Sequence, residues 1–152
     1  LDKMILNLGA GNDIREGAVN HDRLRHRPEI EVAHDLNVLP WPWGDESFDV
    51  IVARAVLEHL RINLLESVGE CWRLLRPGGK LVMKLPYWQH RNSYIDPTHY
   101  WKFDLRSVEV FDPDTEYGRA YSFYGAGNWR IVKGPRLNRA GSSIHVTLEA
   151  RK

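Results

Sequence analysis

The chain contains one cysteine, Cys71, and so holds no disulfide of its own. That usage fits a reducing, cytoplasmic setting. No apolar run approaches the roughly 20 residues of a membrane span, and no signal-peptide pattern opens the chain. Charge of one sign is also missing: 21 basic residues face 20 acidic ones, for a net charge of +1. This balance lacks the electrostatic footprint of a nucleic-acid binder. Arg23, Arg25 and Arg27 form a local basic patch, read as solvated surface. There is no internal repeat and no low-complexity tract. The 152 residues suffice for one core and not for two, so a single compact domain over residues 1–152 is expected. The sequence opens at Leu1, not Met, and its first apolar run follows almost at once. Either residues are missing or the domain carries no N-terminal helical extension; the compact form without one is the expectation.

What is present is organised around Met4-Ile5-Leu6-Asn7-Leu8-Gly9-Ala10-Gly11. A short apolar run that stops at Gly-x-Gly reads as a buried strand ending in a turn. Glycine suits that turn because a residue without Cβ adopts positive φ and admits close approach of a ligand. Asn12 to Gly17 carries no helical stripe, so the first crossover is a loop or a single turn. Ala18 to Asp22 and Ile30 to Leu36 read as the second and third strands, each with an acid at or near its end. Pro40, Trp41, Pro42, Trp43 and Gly44 rule out regular structure after the third. The two tryptophans there either cap the core or line a pocket.

Phe48 to Ala53 is nearly continuous in apolar residues, as a central parallel strand is. Leu57, Leu60, Leu64, Val68, Cys71 and Leu75 recur at spacings of three and four, the mark of an amphipathic helix. Asn63 and Glu66 resemble a capping box that starts the main helix near Leu64, and Pro77-Gly78-Gly79 stops it. Cys71 falls on the apolar stripe and reads as core. Lys80 to Leu85 is a fifth strand, Leu105 to Phe111 a short helix, and Trp129 to Lys133 and Ser143 to Ala150 a closing pair. Between them, Pro86 to Phe103 is a long loop dense in Tyr, Trp, His and Asn, the expected place for a functional insertion.

The fold class that follows is α/β: a Rossmann-like, mostly parallel seven-stranded sheet with an antiparallel closing hairpin and reduced helices. Gly9 to Gly11, Asp22, Asp35 and Arg54-Ala55 all fall at the ends of strands one to four, on one edge, where ligands of such sheets lie.

The succession Leu-Asn-Leu-Gly-Ala-Gly, Val-Asn-His-Asp, His-Asp-Leu…Leu-Pro-Trp, Ser-Phe-Asp-Val-Ile, Val-Leu-Glu-His-Leu and Leu-Leu-Arg-Pro-Gly-Gly-Lys-Leu, over residues 4 to 85, resembles the class I S-adenosylmethionine-dependent methyltransferases. The resemblance implies the cofactor S-adenosylmethionine, its product S-adenosylhomocysteine, and a set of contacts. Gly9, Ala10 and Gly11 pack against the methionine and ribose portion. Asp22 accepts from the two ribose hydroxyls. Asp35 accepts from the adenine amino group while the Leu36 backbone N–H meets a ring nitrogen. Arg54, Ala55 and Leu57 line the site, and His59 is either a further wall residue or a histidine bonded within the fold. Asn7 stands where many members carry an acid facing the cofactor ammonium; an amide carbonyl still accepts there, without charge assistance.

Methyl transfer is an in-line displacement that needs alignment and in some cases a base. The long loop supplies the base candidates Tyr94, Asp96, His99 and Tyr100, of which His99 and Tyr94 are taken forward. For Asp96 local turn bonding is the expected role. His90, Asp96 and His99 match no recognised zinc spacing, so no metal is assigned. A small-molecule acceptor is expected. Amino methylation of nucleic-acid bases is disfavoured, because Arg54-Ala55-Val56-Leu57 replaces the Asp/Asn-Pro-Pro-aromatic segment such enzymes share. A nicotinamide-binding domain is disfavoured too: Ile14 stands where its third glycine belongs, and Asp22 follows the turn too soon. The alternative is a cofactor-binding module without its own catalysis, completed or regulated by a partner chain or a second copy; the short crossovers motivate it.

Overall fold

The computed structural model describes residues 2–152; Leu1 lies outside them. Among the described residues seven strands form one sheet: β1 (Ile5–Leu8), β2 (Ala18–Asp22), β3 (Val32–Ala33), β4 (Phe48–Arg54), β5 (Leu75–Pro86), β6 (Trp129–Leu137) and β7 (Ser143–Ala150). Their spatial order is β3-β2-β1-β4-β5-β7-β6. The pairs up to β4–β5 are parallel, and β7 runs antiparallel between β5 and β6. The expected sheet is therefore present. After β1 the chain moves outward to β2 and β3, then returns to the opposite side of β1 as β4. That reversal opens a crevice above the carboxyl ends of β1 and β4.

Helices are few. The main one, α1 (Leu64–Leu74), begins at the residue the cap indicates. Asn63 accepts from the Glu66 N–H while Glu66 accepts from the Asn63 N–H, so two orphan donors are satisfied reciprocally. Its buried face presents Val68, Cys71 and Leu74 to Leu6, Leu8, Ile51 and Leu81 of the sheet in one apolar cluster. Burial raises the Cys71 thiol well above its ordinary pKa, as befits a core residue and not a nucleophile. Leu57–His59 is a separate 3₁₀ turn ahead of α1, not its first turn. Two further short helices, α2 (Asn92–Ile95) and α3 (Glu116–Ala120), were not legible from periodicity, and Leu105–Phe111 is 3₁₀. No helix among the described residues is long and apolar enough to cross a membrane.

Three strands differ markedly from their sequence limits. β6 runs past Lys133 to Leu137. β3 is only two residues long, pairing His21 with Val32 and Asp22 with Ala33. Beyond it the Asp35 carboxylate accepts from the Asn37 N–H and turns the chain through Leu36. β5 starts at Leu75, directly after α1, and its pairing with β4 skips from Phe48–Leu75 to Val50–Lys80. The bulge holds Pro77, which has no N–H to give the ladder.

The proline-rich loop after β3 caps the core. Trp41 is fully buried and donates its indole N–H to the Leu36 carbonyl, and Trp43 packs edge-on against Phe48 and His21. Arg73 of α1 holds the loop down by donating to the Trp41 and Trp43 carbonyls and to Asp45.

Candidate functional site

A cleft of about 640 Å³ opens over the carboxyl ends of the first strands, within the roughly 300–1,000 Å³ range of small-molecule sites. Its walls bring together Gly9, Asp22, Asp35, Leu36, Ala55 and His59, together with Asn37, Arg61, Thr98 and Tyr100.

The floor is the turn after β1. Gly9 and Gly11 have φ of 56° and 54°. A Cβ on Gly9 would stand 2.5 Å from Val56 Cγ2, so this position needs glycine for space as well as for conformation. The Gly9 N–H donates to Nδ1 of the buried His21, and His21 Nε2 donates to the His34 carbonyl. Both bonds together require the neutral ring with its proton on Nε2, and burial lowers the His21 pKa in agreement.

Asp22 ends β2. Its Oδ2 accepts from the Gly11 N–H at 2.8 Å and from His26, and its Oδ1 accepts from the Arg23 N–H at 2.7 Å. Burial pushes the carboxyl upward, but these donors outweigh it and hold the pKa below its ordinary value. The group is thus an ionised acceptor at neutral pH, aligned by two backbone amides. Asp35 is likewise held low, mainly by the Asn37 N–H.

On the opposite wall, Ala55 sits at φ 56°, an uncommon conformation for a residue with a side chain. Its N–H is tied to the Lys84 carbonyl of β5. His59 Nδ1 lies 2.8 Å from Thr98 Oγ1. The Thr98 hydroxyl spends its proton on Asp96 Oδ1, 2.7 Å away, so it must accept from His59 Nδ1–H, which leaves a lone pair on Nε2. Asp96 also takes the Thr98 N–H, the local turn bonding expected of it. Glu58, adjacent to His59, is 2 % exposed, and burial raises its pKa to about 7.

The remaining residues singled out in the sequence support this cleft from behind or lie away from it. Asn7 is buried, and its amide donates to the Asp13 carbonyl and Asn20 Oδ1, bracing the turn from beneath. Ala10 and Leu57 are buried in the core, and Gly11 acts through its bond to Asp22. Arg54 faces a separate depression with Ile5, Arg15 and Val82. His99 stands against His59, ring centroids 4.6 Å apart, behind the wall. Tyr94 is exposed, with the Lys102 ammonium over its ring. His90 Nδ1 accepts from the Asn92 N–H, away from His59. Sequence reasoning missed His21, Glu58 and Thr98 as site-building residues. The signal for Glu58 was a carboxylate placed between two apolar positions, Leu57 and Leu60.

A second groove, of about 560 Å³, runs between α1 and the Leu105–Phe111 turn and is mainly apolar. It contains none of the strand-end acids or glycines, so the cleft above β1 and β4 is the site the topology builds.

Fold and cleft together define an α/β protein with a cleft at the switch point of its sheet. The methyltransferase domain family matches residues 6–83, and the chain belongs to that family. A probable S-adenosylmethionine-dependent methyltransferase of Mycolicibacterium smegmatis is 36% identical over 93 residues, covering 59% of this chain and 35% of that protein. One of Mycobacterium tuberculosis is 33% identical over 140 residues, 87% of this chain and 48% of that protein. The chain thus spans at most about half the length of these relatives. Among solved structures, the putative methyltransferase complexed with the Haloferax volcanii Trm112 activator is similar, with a TM-score of 0.68 and 13% identity over 99% of this chain and 83% of that one. So is a Burkholderia thailandensis 1,6-didemethyltoxoflavin-N1-methyltransferase with bound S-adenosylhomocysteine, with a TM-score of 0.64 and 18% identity over 99% of this chain and 72% of that one. At these identities the two structures share the fold.

Proposed function

We propose that the chain binds S-adenosylmethionine in the cleft above β1 and β4 and transfers its methyl group to a small-molecule acceptor. The observation that carries this reading is the Asp22 carboxylate, ionised and fixed beside the Gly9–Gly11 turn. A vicinal diol needs such an acceptor, and the turn, which lacks a Cβ at Gly9 and Gly11 and buries that of Ala10, supplies a surface that a ligand can approach closely. The group, when bound, supplies an electrophilic methyl on a sulfonium. Asp22 orients the ribose, Asp35 and the Leu36 N–H read the adenine edge, and Gly9, Ala55 and His59 form the remaining wall. Asn7, Ala10, Gly11 and Leu57 act from behind by fixing the turn and the strand ends, and Arg54 is assigned no contact. His99 acts through His59 and not directly, and Tyr94 belongs to the outer lip of the loop.

The acceptor side is the face formed by the Pro86–Phe103 loop, whose Thr98 and Tyr100 border the cleft. The near-neutral charge supports a small molecule over nucleic acid, and the lone buried Cys71 supports a reducing, cytoplasmic location. The test is formation of S-adenosylhomocysteine from S-adenosylmethionine across a panel of small hydroxyl and amine acceptors, with Asp22→Ala alongside. Acceptor-dependent turnover lost in the variant supports the reading; absence of cofactor binding refutes it.

A second reading is a cofactor-binding module completed by a partner chain. It is supported by the crossover Asn12–Gly17, which contains no helix, and by the similar Haloferax protein, which is complexed with an activator. Turnover by the isolated monomer would dismiss it.

A further inference from the structure

The Glu58–His59–His99 cluster is unexplained by cofactor binding. Each of the three offers one ligand atom, and these atoms lie within 4.8 Å of one another. Glu58 and His59 come from the 3₁₀ turn after β4, and His99 from the loop after β5, carried there by the bond from the Tyr100 N–H to the Glu58 carbonyl. The cluster is incomplete as it stands. Among the described residues, Glu58 Oε1 and His99 Nδ1 are buried with no hydrogen-bond partner. Glu58 Oε2 and His99 Nε2 are 4.0 Å apart, too far for a hydrogen bond. A carboxylate 98 % withdrawn from solvent with an oxygen left bare is costly unless something else meets it.

We propose that Glu58, His59 and His99 form a site for one borderline divalent cation of the zinc type, at the wall of the cleft. Two imidazoles and one carboxylate are the donor set of His₂Glu zinc sites and of 2-His-1-carboxylate iron sites, and they leave coordination positions open. Magnesium and calcium select all-oxygen surroundings and are a poor match. Ligand atoms around a tetrahedral ion at ~2.0–2.1 Å are ~3.4 Å apart, so closing the site takes a contraction of roughly 1 Å by side-chain rotation. His59 is prepared for the role. The relay Asp96–Thr98–His59 holds a proton on Nδ1 and leaves Nε2 free to ligate, as outer partners of metal-bound histidines do. Lys84 is the cation whose charge is felt at Glu58, and Asp96 is the opposing carboxylate.

The site is tested on the chelator-stripped full chain by titration with Co²⁺, followed by its absorption spectrum, and then with Zn²⁺ in competition. The expected result is saturable binding of a single ion per chain with a tetrahedral or five-coordinate spectrum. His59→Ala and His99→Ala each weaken it by more than ~100-fold, and Thr98→Val by ~10-fold. Glu58→Gln, nearly isosteric, weakens it while keeping the thermal transition cooperative, which guards against a trivial folding defect. His90→Ala leaves binding unchanged and separates this cluster from the His90, Asp96 and His99 set. Titration with S-adenosylhomocysteine on the same samples keeps the outcome independent of the cofactor reading. Absence of Co²⁺ and Zn²⁺ binding, or unchanged binding in the Glu58, His59 and His99 variants, would overturn the proposal.

Discussion

The Gly11 backbone N–H donates to Asp22 Oδ2 at 2.8 Å, so the turn that ends β1 and the carboxylate that ends β2 are one unit. The bond aligns the acid before any ligand arrives. Oδ1, which accepts only from the Arg23 N–H, keeps a lone pair to offer, whereas Oδ2 also takes the exposed His26 and must exchange that partner for a ligand hydroxyl. Preorganisation of this kind lowers the cost of binding.

The two turn glycines are predicted to respond differently to alanine. At Gly9 the methyl meets Val56 Cγ2 at 2.5 Å as well as a positive φ, whereas at Gly11 nothing lies within 4 Å. Gly9→Ala should cost about 2–4 kcal/mol, combining overpacking with backbone strain. Gly11→Ala should cost about 1–2 kcal/mol, the strain alone. Chemical denaturation of both variants checks the order; equal losses would contradict it.

His21 gives the fold a pH dependence. Its folded pKa lies below the unfolded value of 6.5 because the ring is buried neutral between Gly9 and His34. The unfolded chain therefore binds the extra proton first. This contribution is complete above about pH 6.5 and declines as pH falls from there toward the folded pKa. His21→Phe keeps the ring but strands the Gly9 N–H and the His34 carbonyl, costing about 2–4 kcal/mol at pH 8. The variant should lose this segment of the pH dependence. Thermal unfolding from about pH 5 to 8 reads both effects.

Glu58 works in the opposite sense. Its carboxyl titrates at about 7 in the fold against 4.5 unfolded, because burial disfavours the charge. The folded chain holds the proton longer, so stability falls as pH rises from about 4.5 to about 7 and stays reduced above. In metal-free buffer, Glu58→Gln should be more stable than the parent above pH 7, on the order of 1–3 kcal/mol, with little difference near pH 4.5. Melting curves across that range check it, and a variant that tracks the parent at every pH would contradict it.

Much of this was legible in the sequence because it is local. A glycine turn, an acid closing a strand and the Asn63–Glu66 cap each announce themselves within a few residues. So does the strand set that yields the sheet and its closing hairpin. β3 was overestimated because its alternation continues to Leu36, while the Asp35–Asn37 turn ends pairing after two residues. His21 passed as a strand residue, since nothing in its spacing shows that its ring takes the Gly9 amide. The Glu58–His59–His99 cluster was hidden for a further reason: it joins loops 40 residues apart through the Tyr100–Glu58 backbone bond. Asn7 and Arg54 show the converse. Their positions resemble cofactor contacts, but the Asn7 amide is bonded to Asp13 and Asn20, and Arg54 borders a separate depression.

The central claim is that the Asp22 carboxylate anchors the cofactor in the cleft above β1 and β4. The most direct measurement is calorimetric titration of S-adenosylhomocysteine into the parent chain, Asp22→Ala and Asp22→Asn. The account predicts saturable binding to the parent and a loss of about 10- to 100-fold in Asp22→Ala, as for hydrogen bonds to a charged acceptor. Asp22→Asn should bind no better, because its amide cannot satisfy the Gly11 and Arg23 N–H groups and still accept from both hydroxyls. Binding of equal strength in all three would contradict the account, and so would no binding to the parent.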